Sequence, residues 1–403
     1  MRTLLFSNLF PTSRDANRGL FTRQIATELA RHCDLEVAVP LPWFPSGRLA
    51  ARIAPRYARE FGELAAEQQL DGVLVTYPRY LLIPKLSERA HDRCMYLGVR
   101  RAIERRHRAK PFDVINAHWL YPDGVAAIRL GALLKVPVVL TGLGCDVNEG
   151  LRDPGIGPRM LQALHEAAAV TAVSQPLVDV LRAAGVPADK LSVIPNGVDT
   201  VRFSPGDPAV ARRALGLGPG PLVVCVSRLS FEKGVDVLIE SARALRSAMP
   251  EARVVIVGEG AQRADLETQI VAAGLAGQVR LVGAVPHGEI ATWMTAANVI
   301  AMPSRREGHP NAAMEALACG RPLVASRVGA LGELITNSRG ITVPAADPAA
   351  LATALADALR RSWDHAAIAA SVQEQSWARA AVSYAKVLRQ AAIPEAARRV
   401  VAA

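Results

Sequence analysis

Residues 299–320 read VIAMPSRREGHPNAAMEALACG, and this stretch predicts one complete strand–loop–helix unit. Val299–Met302 is a short, continuous apolar run of the kind found in buried parallel strands. A Gly-Xaa-Pro-Asn turn then opens a helix that we expect to run to Cys319, with Gly320 as its stop signal. Such a unit is typical of a parallel α/β sheet, in which the loop after each strand lies at the carboxyl edge.

The same alternation of strand and helix extends in both directions along the chain. The predicted strands are Thr3–Ser7, Leu35–Val39, Val114–Ala117, Val136–Thr141, Val170–Val173 and Ser192–Ile194, then Leu222–Val226, Arg253–Val257, Val279–Val282, Val299–Met302 and Leu323–Ala325. Turn formers in residues 195–199 separate the two series, and we place a hinge at about residue 200.

A chain of 403 residues suits two domains. We therefore predict an α/β fold of two Rossmann-like, doubly wound parallel-sheet domains, residues 1–200 and 201–375, that face a central cleft. The helical pattern of residues 376–392 can either extend the second domain or pack back on the first, and the sequence leaves both open. Ligands of such sheets bind at the carboxyl ends of the strands, so we expect the chemistry in the loops that follow them.

Composition excludes several classes of protein. Half of the residues are apolar and 21% are charged, which is a normal globular balance. The chain shows neither a signal peptide nor an apolar run long enough to cross a bilayer, and we expect a cytoplasmic protein. The five cysteines are odd in number and lack metal-ligand spacing, so they predict reduced thiols and no structural zinc. No cofactor is predicted.

A basic segment lies in the first half of the chain. Residues 79–110 contain ten Lys and Arg against three Asp and Glu. Aromatic and apolar residues lie in the same half of the chain, at Trp43, Phe44 and residues 77–84. This mixture favours an anionic membrane surface, on the inner face of the plasma membrane, as a partner. The alternative is a solvated basic helix. Nucleic acid is disfavoured because no helix-turn-helix, RNA-binding or zinc motif accompanies the charge.

Two glutamates in the quoted stretch indicate a site for a sugar or ribose. Glu307 lies in the loop and Glu315 about one turn into the helix, where carboxylates can accept bonds from vicinal hydroxyls. The free amides at the helix start suit phosphate or sugar oxygens. In the alternative, Glu307 caps the helix and Glu315 is a surface residue. However, the apolar neighbours of Glu315 make an unpaired charge there costly.

A second loop supplies cations. The predicted strand Leu222–Val226 is followed by SRLSFEKG, residues 227–234, in which Arg228 and Lys233 can both reach a diphosphate. The alternative is a pair of local salt bridges. Because no Asp-x-Asp cluster follows a strand, we expect the two cations to replace a metal ion.

Glu307 and Glu315 have seven residues between them and are followed by ALACGRPLVAS, and this pattern resembles the Glu-x7-Glu signature of glycosyltransferase family 4. The resemblance spans essentially the whole chain and is closest to bacterial exopolysaccharide and teichuronic-acid enzymes. It implies a GT-B fold and metal-independent, retaining transfer of a hexose from a UDP- or GDP-sugar. The implied acceptor is a saccharide or a polyprenyl-linked saccharide of cell-surface polysaccharide synthesis.

The resemblance also implies roles for residues of the second half. Glu315 binds the ribose, Arg228 and Lys233 bind the diphosphate, and Glu307 binds the sugar. The donor contacts are completed by Gly308, Asn311, Ala312 and, through its backbone, Val285. The pair Gly329-Ala330 departs from the family's usual Gly-Gly at these positions.

In the first half, His118 follows the predicted strand Val114–Ala117, and the resemblance places it near the transferred sugar. Gly19 and Asp146 are carried over as loop or acceptor-side residues, and Asn196 as part of the hinge beside the cleft. Leu143 stands where the family usually has His. Three alternatives remain at this point: a nucleotide-sugar 2-epimerase, an inactive sugar-binding scaffold, and a nicotinamide dehydrogenase. The last is disfavoured because neither half has the glycine fingerprint.

Overall fold

The computed structural model describes residues 1–15, 18–43, 64–83 and 87–393. The chain forms two compact units, one made of Met1–Pro195 together with the chain from Trp377 onward, the other of Asn196–Ser376. Of the residues expected to face a membrane, Phe44, Pro84 and Lys85 lie outside the described residues.

The first unit contains an eight-stranded sheet in the order β10-β9-β8-β7-β1-β2-β5-β4 and a small parallel pair, β3 and β6. The strands are β1 Arg2–Phe6, β2 Asp34–Ala38, β3 Leu41–Trp43, β4 Glu67–Leu70, β5 Val73–Thr76, β6 Arg79–Leu81, β7 Val114–His118, β8 Val138–Gly142, β9 Ala169–Ala172 and β10 Leu191–Val193. Every pair in the large sheet is parallel except β4 with β5.

Helices cover both faces of this sheet. They are α1 Leu20–Leu29, α2 His91–Ala109, α3 Val125–Leu134, α4 Cys145–Asn148, α5 Gly157–Glu166 and α6 Gln175–Ala183. Successive residues of a strand point to opposite faces. Accordingly, Leu4 and Phe6 of β1 pack with α2, α3 and α5, while Leu5 packs with α1.

The second unit has a six-stranded, fully parallel sheet in the order β13-β12-β11-β14-β15-β16. Its strands are β11 Leu222–Val226, β12 Arg253–Val257, β13 Val279–Gly283, β14 Val299–Met302, β15 Leu323–Ser326 and β16 Gly340–Val343. Its helices are α7 Pro208–Ala214, α8 Val235–Ala248, α9 Arg263–Ala272, α10 His287–Ala296, α11 Asn311–Ala318, α12 Leu331–Leu334, α13 Pro348–Arg360 and α14 His365–Ala370.

The last helix, α15 Trp377–Ala392, belongs to the first unit. Its buried residues, among them Tyr384 and Leu388, pack beside α1 on the first sheet. Arg389 adds a bond of 3.2 Å from its guanidinium to the carbonyl of His32. The C-terminal helix thus packs on the first unit and does not extend the second, a question that the helical pattern alone left open.

Each large sheet has a switch point at which the order of strands reverses. In the second unit β11 lies between β12 and β14, and in the first unit β1 lies between β2 and β7. The loops after β11 and β14 therefore leave the sheet side by side, as do those after β1 and β7. Ligands of doubly wound sheets bind at such points.

Candidate active site

The loops after β11 and β14 meet through a buried ion pair. Lys233 Nζ donates to Glu307 Oε1 at 2.6 Å, and Ser304 Oγ donates to the same oxygen at 2.7 Å. Glu307 and Ser304 are buried, and the Lys233 side chain is 19% exposed. The fold thus joins two of the predicted site residues, although 74 positions separate them in sequence.

A second ion pair ties the same loops together. Arg305 binds Asp236 of α8 with two bonds of 2.6 and 2.7 Å, and its guanidinium lies 4.3 Å from the ring centre of Phe231. The hydrogen bonds from Arg305 lower the pKa of the Asp236 carboxyl below its ordinary value. This bidentate contact fixes the loop after β14 against the start of α8.

Gly234 allows the two loops to approach closely. Its φ of +64° is in the left-handed region, and a Cβ atom there would lie 2.1 Å from the carbonyl oxygen of Pro303. Only glycine fits such a position without displacing backbone. Gly234 ends the turn that carries Lys233, so its small size helps to set the lysine beside Glu307.

Arg228, in contrast, stands at the surface. Its side chain is 73% exposed and pairs with Glu232 at 3.3 Å. The turn after β12 supports its loop from behind: a Cβ at Gly258 would lie 1.8 Å from the carbonyl oxygen of Ser227, and one at Gly260 2.2 Å from that of Leu229. Gly258 and Gly260 therefore allow the turn after β12 to pack against the loop that carries Arg228. The Gly-x-Gly sequence alone would not indicate this role, because it is common in turns.

Helix α11 begins with free amides. Ala313 N donates to the carbonyl of Pro310 at 3.0 Å, whereas the N–H groups of Asn311 and Ala312 find no acceptor within the part of the chain that the structure describes. Asn196 Nδ2 donates to Asn311 Oδ1 at 2.9 Å. Two donors therefore remain available for an anion or a hydroxyl at this helix start.

The strand β15 contributes the loop behind Glu307. Gly329 has φ +51°, and a Cβ there would lie 2.0 Å from the Glu307 carbonyl oxygen. Ala330 N donates to the carbonyl of Gly308 at 3.3 Å. Although Ala330 replaces the second glycine of the family's usual pair, the first glycine, Gly329, is present where the close backbone contact requires it.

Glu315 is held by a histidine that the sequence analysis did not single out. His287 Nε2 lies 3.2 Å from Glu315 Oε1, and His287 Nδ1 lies 2.9 Å from Nη1 of Arg202. The Glu315 side chain is 14% exposed. Val285, two residues before His287, is half-buried and packs on the core.

Another histidine lies between Gly308 and Asn311. Burial lowers the pKa of His309 to about 4, so its imidazole is neutral near pH 7. Its Nδ1 atom is buried and has no hydrogen-bond partner among the described residues. An uncharged imidazole therefore lies in the segment between Gly308 and Asn311, two residues that are expected to contact the donor.

In the first unit, His118 is part of a buried polar network. Its Nε2 lies 2.9 Å from Asn116 Oδ1, and the ring of Tyr384 lies 5.5 Å away, centre to centre. Asn116 Nδ2 contacts the oxygens of Val139 and Thr141 at 3.4 and 3.3 Å. Burial lowers the pKa of His118 to about 3. The His118 ring is buried within this network. Its expected contact with the transferred sugar stays a prediction.

Asp146 joins the loops after β7 and β8. Its carboxylate accepts bonds from the backbone N–H groups of Leu120, Leu143 and Gly144, at 3.0, 3.0 and 2.7 Å for the shortest of each. Burial raises the pKa of this carboxyl above its ordinary value. The Asp146 carboxylate thus binds the backbone of both loops. Its expected role on the acceptor side stays a prediction.

Gly19 and Asp123 shape the loop after β1. Gly19 has φ +58°, and a Cβ there would lie 2.2 Å from the carbonyl oxygen of Leu9. Asp123 Oδ1 accepts a bond from the backbone N–H of Asn8, while its buried Oδ2 has no partner among the described residues. Burial raises the pKa of Asp123 to about 8, so we expect it to be protonated near pH 7.

The state of Asp123 leads to a pH-dependent prediction. An unfolded Asp has a pKa of 3.8, so between about pH 4 and pH 8 only the folded state holds this proton. Stability therefore falls as the pH rises through that window. Relative to Asp123→Asn, the wild type should lose up to about 1.4 kcal/mol per pH unit, as measured by urea unfolding of both proteins from pH 5 to pH 8. A difference that does not change with pH would contradict a protonated Asp123.

In residues 1–15, 18–43, 64–83 and 87–393, no three side chains of His, Cys, Asp or Glu are grouped closely enough to hold a metal ion. None of the helices in those ranges combines the length and the apolar character that crossing a bilayer requires.

Reasoning from sequence missed four polar residues of these sites: Asn116, Asp123, His287 and Ser304. Asp123 follows β7, and Ser304 follows β14 and Pro303, so position after a strand was a usable signal for both. Asn116 lies within β7 itself, two residues before His118. His287 lies at the start of α10, and its partner is 28 residues away. No local pattern indicates that pairing.

Two family models match the chain. The one described as Glycosyltransferase Family 4 matches residues 19–202, and the one described as Glycosyl transferases group 1 matches residues 220–361. Together the matches include the strands from β2 to β16.

Curated relatives point to the same family. The chain is 33% identical over 299 residues to D-inositol 3-phosphate glycosyltransferase from Pseudarthrobacter chlorophenolicus, covering 69% of this chain and 71% of that protein. It is 27% identical over 361 residues, or 88% of each chain, to Bacillus subtilis TuaC, a glycosyltransferase named for teichuronic acid biosynthesis.

Solved structures share the fold. The crystal structure of Anabaena HepE with UDP and glucose has a TM-score of 0.72 at 19% identity, covering 96% of this chain and 99% of that one. Sucrose-phosphate synthase from Thermosynechococcus elongatus has a TM-score of 0.75 at 22% identity, covering 96% and 98%. These likenesses, with the parallel sheets of the two units, confirm the predicted GT-B fold.

The family models, a relative above 30% identity and the fold agree. They confirm the predicted enzyme class, a hexosyltransferase. The chain belongs to glycosyltransferase family 4.

Proposed function

We propose that this enzyme transfers a hexose, with retention of anomeric configuration, from a UDP- or GDP-sugar to a hydroxyl of a lipid-linked saccharide. The observation that carries the proposal is the buried Lys233–Glu307 pair beside the free amides of Asn311 and Ala312. It sets a cation, a carboxylate and two N–H donors at the switch point of the second sheet. A sugar joined to a diphosphate presents groups that match all three.

In this proposal the donor's diphosphate is neutralised by Lys233 and Arg228. Negative charge grows on the diphosphate as its bond to the sugar breaks, and a fixed cation stabilises that charge more than it stabilises the bound substrate. Arg228 is exposed on the same loop, so its planar group is free to turn from Glu232 towards a phosphate.

Glu307 would hold the sugar. Its Oε1 atom is occupied by Lys233 and Ser304, which leaves Oε2 to accept a bond from a sugar hydroxyl. Gly308 and the amides of Asn311 and Ala312 would complete the contacts with the donor, while Val285 would meet the base through its backbone and Glu315 the ribose.

Retention would follow from attack on the face from which the diphosphate leaves. The acceptor oxygen forms a bond to the anomeric carbon as the bond to the phosphate oxygen breaks, and the acceptor's proton passes to that phosphate oxygen. No protein nucleophile takes part. In this proposal Glu307 binds a sugar hydroxyl through Oε2, while Lys233 and Ser304 bind its Oε1 atom.

The acceptor is proposed from the relatives. TuaC, which aligns with 88% of this chain, is named for teichuronic acid biosynthesis. The other relative described above is named for D-inositol 3-phosphate. We favour a polyprenyl-linked saccharide of cell-surface polysaccharide synthesis, with the enzyme in the cytoplasm on the inner face of the plasma membrane.

A panel of nucleotide sugars tests the donor. Thermal unfolding of the full chain with UDP-, GDP- and ADP-glucose or mannose, without added metal, should show a rise of several degrees for one base class. Incubation of that sugar with membrane lipid extract should then give a glycolipid whose new linkage has the donor's configuration by NMR. An epimerised sugar formed without acceptor would instead indicate a 2-epimerase.

An exposed basic surface supports membrane association. Arg93, Arg101 and Arg105 are exposed along α2, and Leu97 lies exposed among them. Three further apolar side chains of the first unit are about half exposed: Trp43, Leu81 and Ile83. Cations beside apolar side chains suit an anionic bilayer surface.

This surface yields a binding prediction. The triple change Arg93→Glu, Arg101→Glu and Arg105→Glu should lower the affinity for vesicles that contain about one third phosphatidylglycerol by about a hundredfold, since each cation contributes about 1 kcal/mol. Co-sedimentation with the vesicles measures the affinity. Arg213→Glu, Arg243→Glu and Arg280→Glu change the net charge equally on exposed positions of the second unit and should have little effect. Equal loss in both triples would show a response to net charge alone.

A further inference from the structure

A chain of three side chains in the second unit ends on Glu315. Nη1 of Arg202 lies 2.9 Å from Nδ1 of His287, and Nε2 of His287 lies 3.2 Å from Oε1 of Glu315. The ring of Phe203 meets that of His287 edge-on, with 5.6 Å between the ring centres. The histidine is 22% exposed and the glutamate 14%. A polar contact and a ring contact therefore both fix the imidazole.

The partners determine which nitrogen of His287 carries the proton. A guanidinium only donates, so Nδ1 must accept the bond from Arg202. The hydrogen of the neutral ring then lies on Nε2 and is donated to Glu315. Arg202 thus selects the tautomer that can bind the carboxylate.

We propose that His287, held by Arg202, is a positioning residue that orients the Glu315 carboxylate towards the two ribose hydroxyls of the donor nucleotide. This inference rests on the proposed role of Glu315 at the ribose. His287 would not touch the reacting atoms. It would keep the acceptor oxygens of Glu315 in one geometry before the nucleotide arrives.

A neutral histidine suits this task better than a cation. An arginine beside Glu315 would take both carboxylate oxygens with its planar fork. The single N–H of His287 takes only Oε1, and no other hydrogen bond to the Glu315 carboxylate is found in the described ranges. Oε2, and the second lone pair of Oε1, remain for two vicinal hydroxyl donors.

The test compares nucleotides with and without those hydroxyls. UDP, GDP and ADP, each beside its 2′,3′-dideoxy counterpart, are titrated by calorimetry into the full-length wild type, His287→Phe, His287→Gln and Glu315→Gln. Phenylalanine keeps the ring against Phe203 but has no nitrogen, and glutamine restores an N–H donor. His365→Phe is the matched control, because it removes a 2.7 Å bond to Gly320 in the same unit.

We expect His287→Phe to raise the Kd of the preferred ribonucleotide about tenfold, the effect of one hydrogen bond to a charged group. His287→Gln should recover part of the loss, and His365→Phe should leave the Kd unchanged. For the dideoxynucleotide, wild type and His287→Phe should bind alike. A purely structural role would instead weaken both nucleotides equally.

The outcomes separate the inference from the proposed function. If Glu315→Gln weakens the ribonucleotide but His287→Phe does not, the positioning role is overturned and the donor site stands. If Glu315→Gln has no effect on any nucleotide, or if none binds the wild type, the ribose role of Glu315 fails and the inference with it. Equal weakening of ribo- and dideoxynucleotide by His287→Phe would also overturn the inference.

Discussion

Replacing Lys233 with methionine is expected to lower kcat about a thousandfold, with a smaller change in KM. The lysine is the partly buried cation of the proposed donor site, and its charge would act mainly on the departing diphosphate. Loss of one preorganised group that stabilises developing charge costs about two to three orders of magnitude in kcat. Steady-state rates at saturating donor and acceptor measure the effect.

Lys233→Met also leaves Glu307 buried beside Ser304 without its counter-ion. Removing one partner of a buried pair destabilises a protein by about 3–5 kcal/mol, so the variant can lose activity by misfolding. The double variant Lys233→Met, Glu307→Gln removes both charges and should recover stability without recovering activity. The double variant therefore separates a loss of folding from a loss of chemistry.

Arg263→Met breaks a surface ion pair with Glu259 in the same unit and should leave kcat unchanged. If the double variant folded and kept kcat within about tenfold of wild type, Lys233 would not supply the charge that the proposal requires.

The second large effect is expected for Gly234→Ala. A left-handed backbone costs a non-glycine residue about 1–2 kcal/mol. The new Cβ would also lie 2.1 Å from the carbonyl oxygen of Pro303, so the loops after β11 and β14 must move apart. Adding an overpacking cost of about 1–3 kcal/mol gives a total of about 2–5 kcal/mol. Because the turn carries Lys233, activity should fall as well.

Gly274 offers a matched comparison. It has the same φ of +64°, but an added Cβ would meet no atom within 4 Å. Gly274→Ala should therefore show the backbone cost alone, about 1–2 kcal/mol, with full activity. Calorimetry gives the stability, and hydrogen exchange of the peptides at residues 222–236 and 299–310 shows where structure loosens. Similar effects of the two changes would mean that contact with Pro303 does not constrain the loop.

Two of the strands that the sequence pattern did not predict, β4 and β16, have physical explanations. β4 Glu67–Leu70 was not predicted because it is a polar edge strand, although the following Asp71-Gly72 is a recognisable hairpin turn. β16 Gly340–Val343 begins with a glycine, which weakens the strand pattern. The structure needs it there, since a Cβ would lie 2.0 Å from the Leu323 carbonyl oxygen.

The candidate site was only partly open to prediction. Motif spacing identified Lys233, Glu307 and Glu315, because each lies in a loop or helix directly after an apolar strand. Their contacts were not predictable, since the partner of Glu307 is 74 residues away and that of Glu315 is 28 residues away. The burial of His118 beneath Tyr384 depends on a helix that lies more than 250 positions further along the chain.

By itself, the sequence determined the α/β class, the alternation of strands and helices and the loops that carry polar side chains. These properties follow from apolar periodicity and turn residues, which act between neighbours along the chain. Only the tertiary structure decided that Lys233 pairs with Glu307, that His287 binds Glu315, and that α15 joins the first unit. Such pairings depend on how the strands are ordered in each sheet and on which helices cover its faces, and residues far apart in sequence contribute jointly to both.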